Sequence, residues 1–340
     1  MLGYKINFLI LFLIIMALLN PLTAEMRKKT GQAGMTFLKI DGNARAAGMG
    51  GTFVAVENDV ISVFYNPAGL GTLSRTALAL SQTNWIADIK HNALALAIPL
   101  GSYGTVGFSA INMDYGTLLG TTVSFAGSQS VGFEYEETGT FSVSDYAVGI
   151  AYAVSVTDRF NIGAHARYVY EDMGQNLIDI GGQEKVSDNT VENFAFDLGT
   201  LYRTGYKDLT LGMSVRNFSG ETTFPNLNEG FYMPLVYTIG LSVDLMKIIS
   251  PDLDNQRLTF AVEGLHPNDS MERVNMGVEY NFNNLFFLRG GYKINYDIED
   301  VAGGLGVRFN LGAAAMKFDY AISKMKYFDN VQRMTLSVSL

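Results

Sequence analysis

The sequence predicts an all-β fold: a transmembrane antiparallel β-barrel of about 14 strands with an amino-terminal hatch, or plug, enclosed by it. Three observations carry the expectation. From Ala77 onward the chain falls into segments of roughly ten residues in which apolar positions alternate with polar or glycine positions. Past its first residues it has no run of about 18 apolar residues, although 48% of the chain is hydrophobic, so transmembrane helices are excluded. Finally, Ile40 to Gly71 is rich in small residues (Ala44, Ala46, Ala47, Gly48, Gly50, Gly51). Such a stretch is too poor in large side chains to build its own core, but its backbone can lie close against another wall.

The chain opens on an unbroken apolar run, Phe8 to Leu19, with Lys5 before it and Leu22-Thr23-Ala24 after it. At about 12 residues the run has the length of a signal-peptide core and is too short to span a bilayer. Residues 1–24 are therefore expected to be a signal peptide, 25–76 an extension and hatch, and 77–340 the barrel. The formal charge is −9, and residues 1–24 carry only Lys5, so the remainder is slightly more acidic still. An acidic chain lacks the basic face that phosphate binding needs, which excludes nucleic acid as a partner. With no cysteine there is neither a disulfide framework nor a lipid-modified amino-terminal Cys, so attachment to membrane lipid must come from the fold.

Four segments show the alternation best. Phe160, Ile162, Ala164, Ala166, Tyr168 and Tyr170 alternate with Asn161, Gly163, His165, Arg167, Val169 and Glu171. Similar pairs of faces run through Leu209–Arg216, Leu235–Asp244 and Val274–Phe282. One face suits lipid and the other water. The full set of expected strands is 77–84, 91–99, 104–113, 145–154, 160–171, 193–203, 208–217, 234–244, 257–264, 273–282, 285–293, 302–309, 314–322 and 331–340. An even count places both barrel ends on the periplasmic side, with short turns there and longer loops outside. Connections such as Gly101–Tyr103 and Asn283-Asn284 are short, whereas Asp114–Ser144, Asp172–Glu192 and Phe218–Met233 are long; Leu245–Gln256 is the exception. A soluble β-sandwich is the competing fold, but it calls for strands of about 5–6 residues. Tyrosines near segment ends (Tyr168, Tyr170, Tyr202, Tyr206, Tyr280, Tyr292, Tyr320) fit an interfacial girdle, and Trp85 falls in the first external loop, in a girdle or lid role. The last strand alternates to the final residue, as carboxy-terminal assembly signals do, but ends in Leu340 rather than an aromatic residue.

Catalytic motifs are missing: there is no Gly-x-Ser-x-Gly elbow, no Gly-Lys pair and no His-Glu-x-x-His. His91, His165 and His266 are far apart in sequence and read as wall or loop residues, so no metal or other cofactor is expected. In Gly48-Met49-Gly50-Gly51, Phe53 stands where a dinucleotide fingerprint has its third Gly. The chain is expected not to be an enzyme. By parity, Arg167, Arg203 and Arg216 face the lumen on three neighbouring strands, Glu263 and Glu279 on two later ones, and Arg289, Arg308 and Lys317 on three more. Buried charges need partners. They either pair with one another and with the amino-terminal segment or line a weakly selective pore.

Two blocks carry a family resemblance. The first is Phe37-Leu38-Lys39-Ile40, Ala44-Arg45-Ala46-Ala47-Gly48-Met49-Gly50-Gly51, Phe53-Val54-Ala55-Val56 and Asn66-Pro67-Ala68-Gly69-Leu70. The second comprises His266-Pro267-Asn268-Asp269, Glu272-Arg273-Val274-Asn275, Gly277-Val278-Glu279-Tyr280 and Leu288-Arg289-Gly290-Gly291-Tyr292. Together they resemble the PorV/PorQ family, within the wider FadL-like outer-membrane barrels that share the Asn-Pro-Ala element. The resemblance implies a 14-stranded barrel in the outer membrane of a Gram-negative bacterium, with the first block as the hatch. It also implies two rival functions. PorV-like members work with the type IX secretion translocon and its secreted cargo proteins in export or surface attachment, which is the first expectation. FadL-like relatives move hydrophobic small molecules past the hatch, which would place a hydrophobic ligand in the lumen. The acidic run Phe133-Glu134-Tyr135-Glu136-Glu137 is a candidate protein-contact surface.

Overall fold

The computed structural model describes residues 31–125, 133–179, 184–224, 230–250, 253 and 255–340. The expected signal peptide, residues 1–24, lies outside the described residues. In chain order the strands are β1 (Ala77–Asn84), β2 (Lys90–Pro99), β3 (Thr105–Asp114), β4 (Leu118–Phe125), β5 (Phe133–Phe141) and β6 (Ser144–Thr157). They continue with β7 (Phe160–Asp179), β8 (Glu184–Arg203), β9 (Thr210–Phe218), β10 (Thr222–Thr223), β11 (Gly230–Phe231) and β12 (Val236–Asp244). The last six are β13 (Gln256–Pro267), β14 (Arg273–Phe282), β15 (Phe286–Ile294), β16 (Glu299–Leu311), β17 (Ala314–Met325) and β18 (Val331–Ser339). Fourteen of these close into a barrel in the order β1-β18-β17-β16-β15-β14-β13-β12-β9-β8-β7-β6-β3-β2, and each of the fourteen segments expected from the alternation is a wall strand.

The wall is inverted relative to a soluble core. Along β7, Asn161, Gly163, His165, Arg167 and Val169 are buried while Ile162, Ala164 and Ala166 are exposed. Ile150 and Leu198 are each 60% exposed on the outer face, which only an apolar surrounding accommodates across so many strands. Short turns gather at one end of the barrel and longer connections at the other.

Three connections depart from the expectation of open loops. Asp114–Ser144 holds the β4–β5 hairpin, Phe218–Met233 holds the β10–β11 pair, and Asp172–Glu192 continues β7 and β8 beyond a register break at Asp172/Gln175. Where both faces of a strand meet water, the period-2 signal disappears, yet backbone pairing does not depend on it. The side chains of Phe133-Glu134-Tyr135-Glu136 lie outside the described residues, and Glu137 is exposed.

Residues 33–73 run down the inside of the barrel. Ala33 bridges to Tyr232 at the long-loop end, and the chain leaves at the turn end to begin β1. On the way it makes four short helical turns; Thr36–Lys39 has no side-chain cap, and the other three each have one. Asn43 accepts from the N–H groups of Arg45 and Ala46 at the start of α1 (Ala44–Gly48), Asp59 from Ile61, and Asn66 from Ala68. Pro67 sits at the first position of the last turn, where its missing N–H costs nothing. The apolar side chains of this segment, among them Phe53, Val56, Ile61 and Leu70, pack on inward alanines of the wall (Ala79, Ala95, Ala97, Ala151, Ala153). Burying each such side chain stabilises by about 1.5–3 kcal/mol. The core of the molecule therefore lies in the lumen.

Wall glycines let the segment approach this closely. In the in-register pair Gly163–Gly199, an added Cβ would come within 2.4 Å of Pro67 and 1.9 Å of Asn66 Oδ1, respectively. In the pair Gly277–Gly291 it would come within 2.1 Å of Thr52 and 2.0 Å of the Gly50 nitrogen. The small residues of the segment and those of the wall are thus two sides of one contact.

Candidate functional site

Arg45, on α1, is the hub of the contact between segment and wall. Its guanidinium donates to both oxygens of Glu279 (2.9 and 2.7 Å) and to Asp59 (2.7 Å). Glu279 also receives Arg289 Nε (2.6 Å), Arg289 reaches Asp319 (2.8 Å), and Lys317 stands 3.2 Å from Asp319. The result is a ladder of alternating charge from α1 across β14, β15 and β17. Glu263 takes a different partner: its Oε2 accepts the backbone N–H groups of Phe53 and Val54, at 3.1 Å each.

The remaining predicted residues divide by depth. Arg216 donates to the Phe64 carbonyl, and its guanidinium lies over the Tyr65 ring. Arg203 binds Glu57 at the turn end. Arg308 stays on the turn-end rim, bonded to Asn284 rather than to any acid. Asn66 Nδ2 ties the Val54 and Thr200 carbonyls together, and Pro67, Ala68 and Gly69 after it are buried. Gly48 faces Gly304, Gly50 faces Gly291, and Gly51 lies beside Asp41 and Asn275.

Arg167 belongs to a separate cluster. It binds Asp197, which also receives His165 Nδ1 (3.0 Å) and the backbone N–H of Asn217 (2.7 Å). Asn217 has φ 61°, at the point where the β8–β9 register breaks. His165 Nε2 in turn meets Ser109 Oγ at 2.8 Å. Ser109, His165 and Asp197 thus have the order of a hydrolytic triad. All three are buried and none lines a cavity described below, so the arrangement fastens β3, β7 and β8 to one another.

Residues outside the predicted set of lumen charges complete the site. Lys293 binds Asp41 (2.8 Å) and Glu299 (2.6 Å), Arg333 donates to the Asp41 carbonyl (2.6 Å), and Lys39 binds Asp269 (2.7 Å). Lys293, Asp319 and Arg333 keep the inward parity of their strands, so extending the alternation would have found them. Asp41 and Asp59 lie in the aperiodic segment, where no such signal exists. Burial works against the Asp41 carboxylate, but Lys293 and Arg333 beside it hold it below the ordinary range.

The segment separates two cavities. One, of about 570 Å³ at the long-loop end, is lined by Phe37, Asp41, Trp85, Tyr115, Glu171, Arg216, Arg273 and Lys293 among others. Trp85 lines this cavity, with the Arg333 guanidinium over its ring. Tyr115, which donates to Asp145, is pushed above its ordinary pKa by burial and by that bond. The other cavity, of about 310 Å³, opens at the turn end between Glu57, Arg75, Arg257 and Arg308. A third hollow, of about 880 Å³, lies on the outer face against Ile162, Leu198, Met213 and Ile239.

Residues 14–175 match the model of an uncharacterised protein family (UPF0164). No curated protein sequence matches the chain. Among solved structures, the toluene transporter TbuX of Ralstonia pickettii is similar at 15% identity and a TM-score of 0.52, over 87% of this chain and 97% of that one. CymD, a monoaromatic hydrocarbon channel, is similar at 14% identity and 0.55, over 87% and 96%. A Pseudomonas aeruginosa FadL homologue is similar at 10% identity and 0.51, over 87% and 97%. At these identities the likeness establishes a shared fold.

Proposed function

We propose that this chain is an outer-membrane barrel that admits small hydrophobic or amphiphilic molecules past an internal hatch, acting without catalysis. One observation carries the reading: residues 33–73 fill the waist of the lumen and leave a cavity on each side, so a solute entering one end meets the segment before the other. The fold shared with hydrocarbon channels supports it, and so does the lipid-suited outer face. The secretion-associated role implied by the PorV/PorQ resemblance draws no support from these likenesses, which favour the transport alternative. Passage requires the contact between segment and wall to loosen. The Arg45–Glu279 pair and the backbone bonds to Glu263 are the contacts that have to yield, since they hold α1 and the following turn to β13 and β14.

The test is uptake of a hydrophobic fluorescent probe by cells of a lipopolysaccharide-bearing host. Expression of the chain should raise the uptake rate over that of an empty-vector host. An unchanged rate, together with co-purification of secreted proteins that share a carboxy-terminal domain, would replace passage by export.

A further inference from the structure

The cavity at the long-loop end is charged, and its charge is unbalanced. Among the described residues lining it, seven carboxylates face four bases. Each base is engaged. Lys39 and Lys293 are in ion pairs, and the guanidinium groups of Arg216 and Arg273 lie over the rings of Tyr65 and Tyr296, at 5.6 and 4.3 Å from their centroids. Four of the acids have no base within salt-bridge distance among the described residues: Asp145, Glu171, Glu263 and Asp297. Glu263 is taken up by the backbone N–H groups of Phe53 and Val54, whereas Asp145 and Glu171 are cross-strand partners on β6 and β7. Tyr115 donates to Asp145, whereas Glu171 Oε2 is buried with no hydrogen-bond partner.

A second observation comes from nearly the opposite side of the barrel. Asn275 is 2% exposed, lines the same cavity and gives an amide N–H to Glu263, leaving its Oδ1 without a donor. Glu299 Oε2, also in the lining, is in the same condition. The unpartnered donors here, Arg216 Nε and Arg273 Nε, belong to the two guanidinium groups over tyrosine rings. The open demand is therefore for hydrogen-bond donors carrying positive charge, beside the apolar surface of Phe37, Leu38 and Met113.

We propose that this cavity binds a protonated amine on an apolar body, with its ammonium hydrogens on Asp145 and Glu171 and its body against Phe37, Leu38 and Met113. An ammonium offers three donors, and an acid surplus within low-dielectric walls concentrates cations. The proposal rests on the reading of the lumen as a route for small molecules and names the solute class that this route selects.

Trp85 is the only tryptophan and lines the cavity, so its emission reports occupancy. The full chain in lipid nanodiscs would be titrated with octylamine, octanoate and octanol, which share a chain length and differ in head group. Octylamine should give a saturable change with an affinity about tenfold or more above the other two, and the change should weaken as sodium chloride is raised. The double variant Asp145→Asn/Glu171→Gln should lose about tenfold or more of octylamine affinity and keep its response to octanol. Octanoate binding as tightly as octylamine, or an octylamine affinity indifferent to both salt and the double variant, would overturn the proposal and leave passage standing. The same emission change with calcium chloride alone would overturn it in favour of a metal site. Silence towards all three octyl compounds would remove both the amine site and the passage reading.

Discussion

Glu279 holds two guanidinium groups at once, Arg45 from the segment and Arg289 from the wall, and the side chain of Arg289 is fully buried. Glu279→Gln would leave two enclosed cations facing a neutral amide. The loss of stability should be about 1.5–3 kcal/mol, read from urea unfolding in lipid vesicles, because each cation loses a charge-assisted bond but keeps a second carboxylate, Asp59 for Arg45 and Asp319 for Arg289. Arg308→Gln, on the rim and bonded only to Asn284, should change stability by less than about 1 kcal/mol in the same assay. Both positions look alike in the sequence, where parity alone marks them as inward. Parity says which way a side chain points and nothing of its height in the barrel, and height decides whether it meets the ladder or water.

At the level of elements, the fit between segment and wall depends on where glycine stands. Gly199 faces Asn66 so closely that any side chain must displace the Asn66–Thr72 turn, whereas Gly264 faces open space on the outside of β13. Gly199→Val should release the turn while the wall persists: limited proteolysis would then cut within residues 40–76, at an overpacking cost of about 1–3 kcal/mol. Gly264→Val should leave the protease pattern unchanged. The wall strands were legible because a lipid-facing side and a lumen-facing side impose period 2 on every one of them. The β4–β5 hairpin and the parts of β7 and β8 beyond the register break at Asp172/Gln175 were not, since they pair only with each other and no neighbouring wall strand imposes the period on them. In the segment, Asn-Pro-Ala marked a turn, but which wall strand it would touch depends on Gly163 and Gly199, almost a hundred residues and more away.

For the molecule as a whole, the enclosed segment supplies the apolar core and lies between two cavities. Deleting residues 40–71 should leave a barrel that still folds, since β1–β18 pairing is made by the wall alone, and should open the lumen. Planar-bilayer recordings should then show stable channels absent from the unmodified protein. Unchanged conductance would mean that these residues do not set the permeability. Composition and alternation made the barrel legible, and the small-residue stretch pointed to something enclosed. The cavities were not legible, because they are formed by residues brought together from loops and strands across the whole ring.

The direction of the segment has one more consequence. It enters beside Tyr232 at one end of the ring and reaches β1 at the other, so the wall strands encircle residues 33–73. Drawing Lys39, Asp41 and Arg45 through an already sealed ring would strip three charged groups of water along its length. The economical order of assembly is the reverse: the segment settles on a partly formed wall, and the β1–β18 seam zips last, joining residues about 250 positions apart. The strand made last is then the one that locks in the part made first.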